Sequence, residues 1–273
     1  AVYDVNVNPN INYIDPAAMD GSLSPREGRT GQRYLEVTFS HELQLNSSSP
    51  SSPPVDAALK ACGFTASSGT YTPVSTSFSS ATIYVYWDGL LWKVTGARGN
   101  VEFVFAAGEP ARLNFTFQGT YNDPEDATFP TSWTDSGGAP VVCQGGTLTW
   151  GGSNIACVET LNLNMNNDVQ IRPCITGTYA VAGAAITNRN PEGSINPDMT
   201  TLSEKDWHTL MNTPTLSAVS FQLSSGSNTV TLSIPKAQIM NITPGTRNNF
   251  RTWEIPFKCV RNSGDDEVSI AFA

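Results

Sequence analysis

The sequence predicts a mainly β protein, built from two tandem β-sandwich domains that each carry one flanking α-helix. Three observations support this prediction. Apolar and polar residues alternate along many segments, only two segments have a helical pattern, and the second half of the chain repeats the order of elements in the first half. A chain of 273 residues is long enough for two domains of ordinary size.

The alternation has the two-residue period of strands that bury one face. In Leu161–Asn166, Leu and Met alternate with Asn, and in Leu113–Gln118, Leu and Phe alternate with Asn, Thr and Gln. Val219–Leu223 follows the same pattern. Asp88 and Gly89 form a pair that readily adopts the positive φ angles of a tight hairpin turn. These segments predict a mostly antiparallel arrangement.

Two segments predict helices. The first, Val55–Cys62, follows a Ser-Pro-Pro start and ends before Gly63, a residue typical of the position after a helix. The second, Glu204–Met211, follows Ser203, whose hydroxyl can cap the first turn, and has Asp206 at its third position. The helix residues expected to pack against the sheets are Leu59, Cys62, Trp207 and Leu210.

An internal repeat divides the chain into halves of similar length. The predicted strands Leu113–Phe117 and Trp253–Phe257 are each followed by a turn rich in Asn and Asp. The offset between the two copies is about 140 residues, which is close to half of the chain. The predicted domains are residues 1–135 and 136–273, with the division near Trp133–Pro140.

The composition excludes several classes of function. The formal net charge is −9 and only 14% of the residues are charged, so the chain has no basic stripe that could clamp nucleic acid or a membrane surface. No apolar run approaches the roughly 18–20 residues of a membrane span. The five cysteines are odd in number and widely spaced, which favours reduced thiols made in a cytosol, with one or two disulfides as the alternative.

The polar sides of the predicted strands are rich in Asn, Thr and Ser and poor in charge. A solvated sheet face normally carries Lys and Glu, which keep sheets from aggregating. Uncharged polar faces are better suited to sheets that join neighbouring subunits or line a polar cavity. A secreted sandwich with Thr- and Asn-rich faces is the alternative explanation.

The search for catalytic residues indicates that the protein is not an enzyme and needs no cofactor or metal. The two histidines, His41 and His208, lack a nearby nucleophile motif, and the sequence has no phosphate-binding loop or zinc-protease motif. The alternative function is a secreted or surface β-sandwich module that binds glycans. Its only hints are Trp133 and Trp150, because such modules use exposed aromatic residues.

Several segments resemble the major tail tube proteins of siphophages, in an internally duplicated form. Val55–Phe64 is similar to a helix of that family that ends in Ala-Cys-Gly-Phe, and Lys93–Val101 contains a Thr-Gly-Ala-Arg-Gly signature. Near the other end, Ser263–Glu267 and Ile270–Phe272 resemble the closing segment of the family. The similarity extends from about Leu35 onward.

The resemblance implies a structural virion protein of a long-tailed bacteriophage. Tail tube proteins share a β-sandwich flanked by a helix, and single-domain members form hexameric rings that stack into a hollow tube. A chain with two such domains needs only three copies for a pseudo-sixfold ring, which suggests a homotrimer. The implied partners are further copies of the chain and the tail tip or baseplate, tape measure and tail terminator proteins.

The resemblance also implies a location and a route for DNA. The protein is expected in the virion tail after assembly in the host cytoplasm, with no contact to a membrane. Double-stranded DNA is expected to pass through the tube during ejection without adhering to it. Lys or Arg contacts to phosphate would add affinity at every ring, whereas a polar or acidic lining avoids this.

Two sets of residues are candidates for the functional surfaces of such a tube. The segment Phe64–Ser80 is expected to be a long loop that stacks one ring on the next through Tyr71, Val74 and Phe78. The candidate lumen or rim residues are Glu102, Glu109, Asn162, Asn164 and Glu254.

Overall fold

The computed structural model describes residues 2–16, 21, 24–45, 52–132, 138–155, 157–213 and 215–273. These residues confirm a mainly β protein with two short α-helices. The helices are α1 (Asp56–Ala61) and α2 (Trp207–Asn212), and a 3₁₀ turn spans Thr178–Ala180. The strands are β1 (Val2–Ile14), β2 (Arg29–Glu42), β3 (Phe64–Ser67), β4 (Thr70–Pro73), β5 (Ala81–Trp87), β6 (Leu90–Ala106), β7 (Arg112–Thr120), β8 (Glu125–Asp126), β9 (Thr147–Trp150), β10 (Ser153–Asn154), β11 (Val158–Asn164), β12 (Asp168–Pro173), β13 (Val181–Asn188), β14 (Glu192–Pro197), β15 (Ser217–Ser225), β16 (Asn228–Ile239), β17 (Thr243–Arg247), β18 (Phe250–Cys259) and β19 (Ser269–Phe272).

Many of the long strands form one antiparallel arrangement, called the main sheet below. Its order is β1, β2, β7, β6, β11, β14 and β18, and the end of β16 together with β17 flanks β18 on the far side. Alternate residues of a strand face the same side of a sheet. The apolar set faces the core, where Leu35, Val37, Phe115, Phe117 and Leu163 are at most 1% exposed.

A second layer of strands covers the apolar side of the main sheet. Strands β9, β15, β16, β19 and β4 pair in that order, and each pair is antiparallel. Phe221 of β15 packs edge-on against Phe105 of β6, with ring centroids 5.0 Å apart. Trp150 of β9 packs in the same way against Phe257 of β18, at 5.3 Å. The two layers therefore form a β-sandwich, stabilised by the burial of these apolar sides.

Strands from both halves of the chain contribute to this core. β6 pairs with β11 in the main sheet, and β4 pairs with β19 in the second layer, where Tyr71 is opposite Ile270. The division into residues 1–135 and 136–273 stays a prediction. Its expected boundary falls partly on residues 133–137, which are outside the described residues.

The helices agree with the predicted positions except at the start of α2. Helix α1 is one residue shorter at each end than predicted. The expected start of the second helix at Glu204, with Ser203 as its cap, is wrong. Asp206 is the N-cap, because its carboxylate accepts a hydrogen bond from the Thr209 N–H at 2.9 Å. The Glu204 carboxylate instead accepts a hydrogen bond from the Thr201 N–H, in the preceding turn.

The prediction of one long loop over Phe64–Ser80 is wrong for its first half. Strands β3 and β4 form a hairpin there, and its turn residues Ser68 and Gly69 have φ angles of 48° and 82°. The local sequence is rich in Ser and Thr, which is typical of loops. Strand β4 nevertheless gains a second partner, β19, from a distant part of the chain. Irregular backbone remains only from Val74 to Ser80.

Gly99 of β6 leaves room for the ring of Phe117 on the neighbouring strand β7. It is opposite Phe117 in the pairing of β6 with β7. A Cβ atom at Gly99 would lie 2.5 Å from Cδ1 of Phe117 and 2.5 Å from the carbonyl oxygen of Thr116. The Phe117 ring therefore occupies the space that a side chain at this position would need.

We expect the substitution Gly99→Ala to lower the free energy of unfolding by about 1–3 kcal/mol, because the added methyl group must displace the Phe117 ring or the backbone. Chemical denaturation followed by tryptophan fluorescence would measure the change. The control is Thr116→Val, which keeps a β-branched side chain on the opposite, exposed side of the sheet and should change stability by less than about 0.5 kcal/mol. Equal effects of the two substitutions would contradict this account.

Candidate functional site

The second side of the main sheet carries polar side chains and is called the polar face below. These side chains are partly or fully exposed, whereas their neighbours along each strand are mostly buried. The face includes Glu36, Thr38 and Ser40 of β2, Asn114, Thr116 and Gln118 of β7, Asn100 and Glu102 of β6, Asn162 and Asn164 of β11, Glu192 and Ser194 of β14, and Lys258 of β18.

One row of the polar face runs from β2 to β18 at right angles to the strands. The Ser40 hydroxyl donates to Oδ1 of Asn114 at 2.8 Å, and the Asn114 amide donates to the Glu102 carboxylate at 3.1 Å. Such cross-strand pairs each stabilise a sheet by about 0.2–1 kcal/mol. The residues of the row, each opposite the next, are Ser40, Asn114, Glu102, Asn164, Glu192 and Lys258.

Amide groups connect β6 with β11 and the residues that follow it. The Asn100 amide donates to Oδ1 of Asn164 at 2.7 Å, and Oδ1 of Asn100 accepts from the Asn167 N–H at 2.9 Å. The Asn167 amide donates to the carbonyl oxygen of Gly99 at 3.0 Å. These amides hydrogen-bond to one another and to the backbone, although Oδ1 of Asn167 has no partner in the described structure, so this part of the face is polar without being charged.

Both acidic and basic side chains lie on the polar side of the main sheet. Glu36, Glu102 and Glu192 are spread over β2, β6 and β14, and Lys258 is opposite Glu192. Arg112, at the start of β7, has its guanidinium 5.8 Å from the centre of the Tyr3 ring. These two bases lie on β18 and at the start of β7, so the middle of the central strands presents mainly carboxylates, amides and hydroxyls.

Arg98, in the Thr-Gly-Ala-Arg-Gly segment, connects distant parts of the backbone. Its guanidinium donates hydrogen bonds to the carbonyl oxygens of Phe78, Ser79 and Ala184 at 3.0, 3.2 and 2.6 Å. Charge-assisted hydrogen bonds of this kind are stronger than neutral ones. The arginine of the signature therefore fixes the Val74–Ser80 segment and β13 to β6.

The structure brings three of the predicted lumen residues together on the polar face. These are Glu102, Asn162 and Asn164, with Asn164 opposite Glu102. Glu254 is exposed on β18, on the side of the sheet that carries the polar face. Glu109 is exposed in the turn between β6 and β7, at the end of the sheet. Their roles at a lumen or rim stay predictions.

The three residues predicted to stack rings make contacts inside the subunit. Tyr71 is fully buried, its hydroxyl donates to Asp56 at 2.6 Å, and its ring packs edge-on against Phe272. Burial, together with the hydrogen bond to Asp56, raises the pKa of Tyr71. Val74 and Phe78 are half-buried. The expectation of Tyr71 as an exposed anchor is therefore wrong, because the β4–β19 pairing places its ring in the core.

The closing Ser-Gly-Asp-Asp-Glu segment is held by Arg189. The Arg189 guanidinium pairs with Glu267 and, at 3.0 Å, with Asp265, and it donates to the carbonyl oxygen of Val74 at 2.8 Å. The Ser75 hydroxyl donates to Asp265. This hydrogen bond and the Arg189 guanidinium hold the pKa of Asp265 below its usual value, although partial burial opposes them. The cluster attaches the irregular Val74–Ser80 segment to the end of the second layer.

The helix residues predicted to pack against the sheets lie in or at the core. Leu59, Cys62 and Trp207 are at most 2% exposed, and Leu210 is half-buried against the same core. Burial raises the pKa of the Cys62 thiol well above its usual value. A buried, protonated thiol in this position acts as a small apolar group.

The two tryptophans that suggested glycan binding do not form an exposed pair in the described structure. Trp150 is 1% exposed and packs edge-on against Trp207, with ring centroids 5.3 Å apart. Its ring therefore has no free face for a sugar. Trp133 lies outside the described residues.

Sequence reasoning missed part of the polar row. Ser40, Asn114 and Glu192 lie in the same row as the predicted residues Glu102 and Asn164. Each of them follows the two-residue period of its own strand, so the period could have assigned it to a polar side. Which strands are neighbours depends on long-range pairing, and that information is absent from the local pattern.

The main sheet, with one buried and one polar side, and the second layer define a β-sandwich protein. The sequence matches the profile of the phage tail tube protein family over residues 1–259. The chain therefore belongs to this family, and it is a structural protein of the virion tail. The resemblance to tail tube proteins is thereby confirmed, whereas the internal duplication stays a prediction and the closing segment Ser263–Phe272 lies outside the matched residues. No curated protein sequence is significantly similar to the chain. In the part of the chain that the structure describes, no helix is long and apolar enough to cross a lipid bilayer.

We expect the substitution Arg189→Met to lower the free energy of unfolding by about 3–5 kcal/mol, because Glu267, only 7% exposed, would be left buried without its cation. Urea denaturation of the purified subunit would measure this change. Arg261→Met is the matched control, since Arg261 is exposed nearby and its loss should cost less than about 0.5 kcal/mol. If both variants unfold at the same urea concentration, the Arg189 cluster is not a stabilising element.

Proposed function

We propose that this chain is the major tail tube subunit of a long-tailed bacteriophage, and that three copies form a pseudo-sixfold ring. Rings stack into a hollow tube that conducts double-stranded DNA during ejection. Family membership supports the tail location. The trimeric ring is supported by the similar strand order in the two halves of the chain, because a duplicated unit needs half as many copies to complete a ring.

The observation that carries the proposal is the polar face of the main sheet. The second layer covers the apolar side of the main sheet. The polar face is therefore the side of this sheet that would face a water-filled channel. In a closed ring, the main sheets of neighbouring copies would join into a barrel with polar residues inside. The row from Ser40 to Lys258 would then run around the channel wall.

The chemistry of this face suits the passage of DNA. Duplex DNA carries a dense row of phosphates, and each Lys or Arg contact adds affinity through the release of counterions. The central strands present Asn100, Asn164 and Glu102 instead, and the nearby Arg98 is bound to three backbone carbonyls. A wall of this composition repels phosphate or is neutral toward it, so DNA would slide rather than adhere.

The remaining partners follow from the same proposal. A tube of stacked rings starts at a tail tip or baseplate, encloses a tape measure protein and ends at a terminator protein, and assembly takes place in the host cytoplasm. In the irregular part of the expected stacking loop, the exposed residues Ser75–Ser77, Ser79 and Ser80 are accessible to another ring. Val74 and Phe78, which are half-buried on either side of Ser75–Ser77, would anchor this segment to the subunit.

Negative-stain electron microscopy of the concentrated, purified chain tests the proposal. We expect hollow tubes whose averaged discs show three chains and six similar lobes. Discs with six chains would keep the tube but contradict the trimeric ring. Monomers that persist at high concentration, also after addition of purified tail tips as seeds, would contradict the proposed function.

We expect the substitution Glu102→Lys to make assembled tubes retain short duplex DNA in a form protected from nuclease, because a cation would replace a carboxylate in the proposed channel wall. Co-sedimentation at two salt concentrations measures the effect, and retention should fall steeply with added salt. Glu102→Gln tubes should retain no more DNA than the unchanged protein.

Glu125→Lys provides the matched control for this experiment. Glu125 is exposed in β8, away from the polar face. The substitution Glu125→Lys changes the net charge of the chain by the same amount as Glu102→Lys. DNA bound through this position should remain sensitive to nuclease. Equal protection in the Glu102→Lys and Glu125→Lys tubes would contradict the placement of the polar face in the channel.

A further inference from the structure

In the part of the chain that the structure describes, the main sheet has an unpaired edge at each end. Among the described residues, β1 pairs only with β2, and β17 pairs only with β18. Both strands are largely exposed, and β1 is 13 residues long. Long exposed edges are sites where another chain can add a strand, and natural proteins usually protect them. Each subunit therefore presents two complementary edges of one sheet.

A short repeat relates β1 to β11. The sequence Val-Asn-Val-Asn-Pro-Asn at Val5–Asn10 matches Leu-Asn-Leu-Asn-Met-Asn at Leu161–Asn166. The two copies also have the same position in the fold. β1 pairs with β2, which continues to β7, and β11 pairs with β14, which continues to β18. The strands β7 and β18 are the ones related by the internal repeat of the sequence.

The pairing registers make this equivalence specific. Asn6 is opposite Thr38 in the first copy, and Asn162 is opposite Ser194 in the second. Thr38 is in turn opposite Thr116, and Ser194 is opposite Pro256. Positions 116 and 256 differ by the same offset of about 140 residues that relates the two halves. Asn6 therefore corresponds to Asn162, and Asn8 corresponds to Asn164.

The two equivalent strands differ in what lies on their other side. β11 has β6 there, with Asn164 opposite Glu102, and Leu163 is completely buried. In the described structure β1 has no strand there, and Asn6 and Asn8 are exposed. The same sequence pattern is thus paired along both edges in β11 and, in the described structure, along one edge in β1.

The strand equivalent to β6 is also present, at the opposite end of the main sheet. β6 flanks β7, with Glu102 opposite Asn114, and β17 flanks β18, with Thr243 opposite Glu254. Asn114 and Glu254 are related by the offset of about 140 residues. Thr243 therefore corresponds to Glu102, and Gly245 corresponds to Val104.

We propose that β1 of one copy adds to β17 of the next copy, antiparallel, in the register that β11 and β6 show within the chain. This inference rests on the proposed function and specifies its ring contact. Asn8 of one copy is placed opposite Thr243 of the next, and Asn6 is placed opposite Gly245. The junction inside each chain is the template for the junction between chains.

The register also fixes where charged side chains lie at the junction. Asp4 of one copy comes close to Arg247 of the next, because these positions correspond to Thr160 and Ala106 in the internal junction. Arg247 is already paired with Asp198 and Glu159 of its own chain, so the backbone pairing and not this charge specifies the contact. The contact is head-to-tail, so each copy uses β1 on one side and β17 on the other. Such a contact closes into a ring and leaves no edge unpaired.

Disulfide trapping tests the register. In a Cys157→Ser background, which removes the exposed native thiol, the variant with Asn8→Cys and Thr243→Cys should lose its monomer band on oxidation of assembled protein. Directly opposite residues in an antiparallel pair are close enough for a disulfide, with Cα atoms about 4.5–5.5 Å apart. We expect a ladder on a non-reducing gel that ends at the covalent trimer.

Two control variants calibrate this result. Glu102→Cys with Asn164→Cys reproduces the internal junction and should give an oxidised monomer, which shows that the register allows the bond. Asn6→Cys with Thr243→Cys shifts the pair by two residues, to about 7–8 Å, and should form little or no crosslinked product. Crosslinking of the shifted pair in preference to the Asn8 pair would overturn the proposed register.

Hydrogen exchange of the unchanged protein gives an independent measurement if a cysteine variant fails to assemble. Peptides that cover Asn6–Asn8 and Thr243–Arg247 should gain protection on assembly, whereas peptides of the β12–β13 hairpin, which is already paired, serve as the internal reference. Hollow tubes without added protection at these two edges would overturn the inference and keep the proposed function. An absence of tubes in the unchanged protein would overturn both.

Discussion

The structure depends on the separation of two kinds of side chain across one long antiparallel sheet. Burial of the apolar side stabilises the sandwich. The side chains on the opposite side are polar, and each of them needs hydrogen-bond partners in the protein or in water. Amide and hydroxyl groups fulfil this requirement by bonding to one another, as Asn100 does with Asn164 and Ser40 does with Asn114. The channel chemistry and the edge contacts proposed above both follow from this arrangement.

The same separation explains how much of the fold could be predicted from the sequence. The two-residue period correctly indicated β7, β11 and β15, because their alternation is strict. Helix α1 was predicted to within one residue at each end, because its proline start and glycine end are local signals. The start of α2 was predicted incorrectly, because Ser203 and Asp206 both qualify as caps by residue type, and Asp206 is the one that accepts the hydrogen bond from the Thr209 N–H.

The candidate site was predictable in part for a related reason. The polar side of each strand could be read from its own residues, so Asn162 and Asn164 were found together. The neighbours of a strand depend on pairing between distant segments, so the row from Ser40 to Lys258 could not be assembled. The repeat of β1 in β11 was missed because its offset is larger than the roughly 140 residues that relate β7 to β18, since the connection from β14 to β18 is shorter than the one from β2 to β7.

The two sequence signatures have structural rather than chemical roles in the subunit. Arg98 of the first signature fixes backbone carbonyls, and the acidic residues of the closing segment hold Arg189. A sequence motif of charged residues invites a search for catalysis or ligand binding. Here the arginines donate hydrogen bonds to carbonyl oxygens of the irregular Val74–Ser80 segment, because this segment lacks the regular hydrogen bonds of strands.

The pairing of β4 with β19 has a consequence for how the protein is made. These strands are about 200 residues apart, and between them they complete the second layer next to Tyr71. A nascent chain that has emerged only as far as β11 cannot yet close its core. Although the chain has the appearance of a duplicated unit, its first half must wait for the second before either reaches a stable state. Synthesis and folding are therefore coupled over nearly the whole length, and unfinished chains do not present completed sheet edges to one another at the ribosome.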